Sequence, residues 1–179
     1  MTSTGAVDAD FARVAAIEDI RHQLATAAIA TDRMDFDLLA SCYLDDATVD
    51  LGSFFSGSIS EYIESNGSAD GLPSLDRTMH ALTTSTITVD GDRAIAESYC
   101  TCLHSGPEGH PWCDGFVVIY LRFIDTLVCV EGNWVIASRT GIFEWGRNET
   151  TGEFLELDPR SLGRRDRTDV RYRVVLDKG

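Results

Sequence analysis

The chain has 179 residues, which is room for one domain with a full hydrophobic core and a short appendage. Hydrophobic residues make up 44% and charged residues 25%, ordinary globular usage that argues against wholesale disorder. Fifteen basic against 29 acidic side chains leave a net charge of −14, which opposes binding to nucleic acid and to anionic membranes.

In chain order, residues 1–7 read as a tail. From Asp8 the apolar positions Phe11, Val14, Ala15, Ile17, Ile20, Leu24, Ala27 and Ala28 recur at three-and-four spacing, so a long amphipathic helix is expected, ending near Asp32. Asp35 can cap a second helix over Phe36–Tyr43, with Leu38, Leu39 and Tyr43 on its buried side. Ala47–Leu51 reads as a strand. Ser58 followed three residues later by Glu61 is a capping box, opening a third helix through about Ser65.

Beyond that point the pattern turns to strands. Met79–Val89 is rich in Thr and Ile, and Asp90-Gly91 is a two-residue hairpin signal. Ala94–His104 returns from it, and Phe116–Val130 is a long β-branched and aromatic run. Glu131-Gly132 makes the next turn before Trp134–Trp145. Helices followed by an antiparallel meander give an α+β class with helices on one face of a curved sheet. The expected domain spans residues 8–147. Residues 148–179 form a tail, with weak strand signals at Glu153–Leu157 and Val170–Leu176, expected to wrap a neighbouring subunit or cover a pocket.

Several chemistries lack their residues. The only lysine is Lys178, so Schiff-base, pyridoxal-phosphate and Walker-type phosphate chemistry have no positioned amine. No Gly-x-Gly-x-x-Gly, Gly-x-Ser-x-Gly or His-Glu-x-x-His pattern occurs, and no organic cofactor is expected. Five cysteines, an odd number with no secretory signal at the N-terminus, read as reduced thiols. Cys102, His104, His110 and Cys113 could in principle hold a zinc ion, but their spacing matches no structural zinc pattern, and Ser105–Gly109 reads as a hairpin tip. No metal is expected. The longest apolar stretch, Phe116–Leu121, is far shorter than the roughly 20 residues of a membrane helix, so a cytoplasmic protein without a membrane partner is expected.

Three segments then carry a likeness: Asp19-Ile20-Arg21 through Asp37, Tyr43-Leu44-Asp45-Asp46-Ala47-Thr48-Val49-Asp50, and Val89-Asp90-Gly91-Asp92-Arg93-Ala94. With Gly132-Asn133-Trp134-Val135-Ile136-Ala137-Ser138-Arg139, they resemble the SnoaL-like branch of the nuclear-transport-factor-2-like superfamily over about residues 15–146. The resemblance implies a cone-shaped α+β barrel, a strongly bent antiparallel sheet wrapped around N-terminal helices with a pocket inside. Its members include scytalone dehydratase, bile acid 7α-dehydratase, hexachlorocyclohexane dehydrochlorinase, ketosteroid isomerase and polyketide cyclases. Non-catalytic dioxygenase subunits share the fold, so the site must decide the function.

In the dehydratases and the dehydrochlorinase an aspartate and a histidine face the pocket. The resemblance places them at Asp32 and His80 as catalytic residues. A neutral imidazole with an intrinsic pKa of about 6.5 is a suitable general base, and a carboxylate on its other nitrogen fixes the tautomer. The resemblance further suggests Arg139 and His104 as substrate-binding groups, and Tyr43 and Tyr99 could reach the cavity. Asp50 matches the isomerase base only loosely, since that carboxylate aligns with Leu51 and a one-residue slip reverses the face. Ala27, Thr31 and Leu51 stand where relatives carry polarising tyrosines, so no relative's substrate transfers.

The function expected is a cofactor-independent lyase, a dehydratase or other β-eliminating enzyme, on a small, mostly apolar carbonyl or polyketide- or steroid-like molecule. An isomerase or cyclase acting by enolate proton transfer is the first alternative. A non-catalytic ligand-binding or assembly subunit is the second. A homo-oligomer, dimer or trimer, is expected on each reading.

Overall fold

The structure is a computed structural model that describes residues 4–149 and 164–169, with side chains from residue 9 onward. Helix α1 runs over Thr4–Asp32, four residues earlier than expected, because no proline or stop signal separates Thr4 from the alanine-rich turn that follows. Its buried stripe is Ile20, Leu24, Ala27 and Ala30, whereas Phe11 and Val14 are exposed. Only the second half of the periodic stripe therefore packs on the core. Asp35 accepts a hydrogen bond from the Leu38 amide and opens α2, Phe36–Ser41.

The chain leaves that helix at Cys42, and Tyr43 begins strand β1, Tyr43–Asp50, rather than ending α2. A short strand β2, Ser56–Ser58, pairs with β1 and leads into α3, Ile59–Gly67, through the capping box of Ser58 and Glu61. A 3₁₀ turn at Leu72–Ser74 precedes the meander. Its strands are β3 Arg77–Asp90, β4 Arg93–Gly106, β5 Gly115–Val130 and β6 Asn133–Glu149.

These strands form one sheet in the order β2-β1-β6-β5-β4-β3. Neighbours are antiparallel except β1 and β6, which run parallel. Register shifts interrupt β3 between Leu82 and Ser85, and β6 at Ala137 and Glu144, each an extra residue opposite β5. Irregularities of this kind bend strands, and the sheet curls around the helices without closing. The fold is thus the expected α+β cone.

Alternation along β4 sets the site. Ala94, Ala96, Ser98, Cys100, Cys102 and His104 point inward and are buried, while Ile95 and Tyr99 between them are exposed. The main core joins Ile20, Leu24 and Leu39 to Val49, Leu127 and Ile136. The tail's expected strands, Glu153–Leu157 and Val170–Leu176, lie outside the described residues. Residues 164–169 form a turn against the end of α1 and the start of β3.

Candidate active site

Asp32 is the last residue of α1, and His80 is the fourth residue of β3. The helix end meets the strand so that both oxygens of Asp32 engage His80. The ring Nδ1 lies 2.6 Å from Asp32 Oδ1, and the His80 backbone N–H donates to Oδ2 at 2.8 Å. An ionised carboxylate accepts only, so Nδ1 carries the ring proton and Nε2 keeps its lone pair. His80 lines a cavity, whereas Asp32 stands behind it. Burial pushes the Asp32 carboxyl up, but the hydrogen bonds and charge of His80, helped by the Thr78 hydroxyl, outweigh it and hold the group below the ordinary aspartate value.

The cavity measures about 300 Å³, the lower end of the usual range for small-molecule sites. Phe54, Phe55, Tyr62, Trp112, Phe123 and Phe143 give it aromatic walls, and Leu51, Leu72, Ile119 and Leu121 fill between them. Phe54 and Phe143 stack at 4.9 Å. Polar groups are few: beside His80 stand His104, Thr31, Ser65, Asn66 and Asp70. Among the described residues no arginine or lysine lines it.

His104 reaches the cavity from the inward row of β4, with its ring edge-on to His80 at 5.5 Å and to Trp112 at 5.6 Å. Burial first, and then the charge of His80, lower its pKa to about 4, so the ring is neutral at pH 7. Its Nδ1 is buried with no hydrogen-bond partner among the described residues. An unpaired buried polar atom is costly, and this one belongs to a ring that forms part of the cavity wall.

The other expected binding residues stand elsewhere. Arg139 is buried outside the cavity lining, in a two-pronged ion pair with Asp125 at 2.7 and 3.1 Å. Asp125 and Arg139 face each other across β5 and β6, and the guanidinium lies over the Phe123 ring at 4.4 Å. Tyr43 packs in the core beside Arg139 rather than in the cavity wall. Tyr99 is 50% exposed on the opposite face of β4 from His104, as strand alternation requires.

The four zinc candidates do not converge on one point. His110 bonds Ser74 Oγ at 3.0 Å and accepts from the Cys113 amide, while Cys102 Sγ lies 3.6 Å from Cys100 Sγ. Among the described residues no cluster suited to a metal forms. Sequence reasoning missed Tyr62, Asn66 and Trp112. Tyr62 and Asn66 follow Ile59, three and seven residues on, along the helix that the capping box announces, so helical spacing could have found them.

Comparison with known proteins agrees with this architecture. Residues 12–140 match the profile of the SnoaL-like domain. No curated protein matches the sequence. Among solved structures, a hexachlorocyclohexane dehydrochlorinase from Novosphingobium barchaimii superposes with a TM-score of 0.71 at 18% identity, covering 83% of this chain and 99% of its own. A Novosphingobium aromaticivorans protein provisionally named a scytalone dehydratase gives 0.65 at 17% identity, covering 78% and 91%. A Kribbella flavida protein gives 0.62 at 21%, covering 73% and 92%. Identities this low support the fold alone. Among the described residues no helix is long and apolar enough to cross a membrane.

Proposed function

The chain belongs to the SnoaL-like domain family, and from the site it carries we propose that it is a cofactor-independent lyase, eliminating water or a similar group from a small, neutral, mostly apolar carbonyl compound. One observation carries the reading: the 2.6 Å contact of His80 with Asp32 beside an open aromatic cavity. His80 Nε2 removes the proton on the carbon next to the carbonyl. The released electron pair forms the carbon–carbon double bond as the β-hydroxyl departs with the proton from the imidazolium, giving an enone and water. Asp32 stays ionised throughout, orienting the ring and stabilising its protonated form. His104, neutral and in the cavity wall, offers a ring N–H to a substrate oxygen.

An isomerase or cyclase would use the same proton transfer without expelling a group. A purely ligand-binding subunit fits less well, since it expects a filled cavity or an aspartate turned from the histidine. The test is a panel of neutral β-hydroxy ketones followed by product mass. Loss of one water, with His80→Ala and Asp32→Asn slower by roughly 10²–10⁴-fold, supports the lyase. Unchanged mass with a moved double bond or a new ring replaces it with the alternative. Full turnover by both variants contradicts either.

A further inference from the structure

The dyad, cavity and polar partner leave a cation beside the site without a role. It belongs to the C-terminal segment rather than to the cone. Arg165 Nε donates to the carbonyl of Asp32 at 3.1 Å, and Nη1 donates to the carbonyls of Leu72 and Leu75 at 3.1 and 2.7 Å. Nη2 lies 3.5 Å from Thr78 Oγ1, and the Thr78 hydroxyl in turn helps to hold the Asp32 carboxyl below its ordinary value. The carbonyl of Asp32 closes α1, where helix carbonyls lack partners inside the helix. One planar fork thus ties the end of the helix that bears Asp32 to both ends of the 3₁₀ turn and to the strand that bears His80.

The fork is itself held in place. Asp169 accepts from the Arg164 amide at 2.8 Å, Asp166 accepts from the Thr168 amide at 2.6 Å, and Arg167 reaches Asp35 at 3.1 Å. Arg165 does not line the cavity, so its influence on chemistry passes through Asp32. From this geometry we infer that Arg165 is a positioning residue: its guanidinium holds the Asp32 carboxylate in register with His80, so residues 164–169 complete the active site from outside the cone. The inference rests on the reading of Asp32 and His80 as the working pair. It depends on the shape of the group as well as its charge, because three nitrogens reach four oxygens on separate segments.

The full-length protein provides the test through the proton NMR resonance of the His80 Nδ1–H···Asp32 hydrogen bond, identified by its loss in His80→Gln. The wild type and Arg164→Met show the resonance at one position. Arg165→Met shifts or broadens it, and so does Arg165→Lys, which keeps the charge and most of the stem and so guards against simple misfolding. With a turned-over substrate, kcat falls by about ten- to a hundredfold in both Arg165 variants and KM changes little. An unshifted resonance in Arg165→Met overturns the inference, and full recovery in Arg165→Lys overturns the fork as its basis. The resonance reports geometry with or without turnover. A wild type inert to every substrate would therefore sink the lyase reading and leave the Arg165 result standing.

Discussion

His80 gives one ring nitrogen to Asp32 and leaves the other free of it, while His104, one strand away, is neutral with a nitrogen that has no partner among the described residues. The second histidine has a consequence for stability. Its folded-state pKa of about 4 lies below the ordinary 6.5, so between these values the unfolded chain binds a proton that the folded one does not. Stability therefore falls as pH drops through this window, by about 3 kcal/mol at pH 4 from this residue alone. Asp32 acts lower down: its depressed pKa favours the fold above the ordinary aspartate value, and that contribution is lost as pH falls through the folded value. Urea unfolding at pH 7 and pH 4.5 should show the loss in the wild type and a flatter dependence in His104→Phe. Asp32 and His80 were singled out by the resemblance and not by any local pattern, and the fold brings their side chains to 2.6 Å. The place of Arg139 could not be read, because the carboxylate that claims it, Asp125, sits across a strand pair whose register no local pattern displays.

At the scale of elements, turns and caps were legible and long-range pairing was not. Glu131-Gly132 turns the chain as expected, with Gly132 at φ 84°, whereas the first hairpin turns on Gly91-Asp92, one residue later than the Asp90-Gly91 signal, with Gly91 at φ 61°. The parallel pairing of β1 with β6 joins segments far apart in sequence, and β2 has only three residues, too few for a periodic signal. Two substitutions test the local account. Ser58→Ala removes the cap of α3, which carries Tyr62 and Asn66 to the cavity, and should cost about 1 kcal/mol in chemical denaturation. Gly106→Ala should cost more, since its Cβ would collide with the Cys113 carbonyl oxygen where β4 runs into the loop before β5. A Gly106→Ala protein as stable as the wild type would contradict that packing.

The whole molecule combines a net charge of −14 with a cavity whose walls are aromatic and carry no described cation. Asp32 behind His80 and Asp70 in the wall add negative potential, and Arg139 is neutralised by Asp125. An anion entering this cavity loses its hydration and finds no described countercharge in the wall. Neutral bicyclic ketones should therefore bind at least about tenfold more tightly than their carboxylated analogues, about 1.4 kcal/mol, read by quenching of tryptophan fluorescence as Trp112 is covered. Comparable affinity for the carboxylates would contradict the charge argument. The most direct test of the pair as a base needs no leaving group at all. The protein is incubated with α-tetralone in deuterated buffer, and exchange of the protons next to the carbonyl is followed by NMR. The account predicts exchange by the wild type that His80→Ala slows by roughly 10²–10⁴-fold. Equal exchange by the two proteins, with the ketone bound to both, would contradict it.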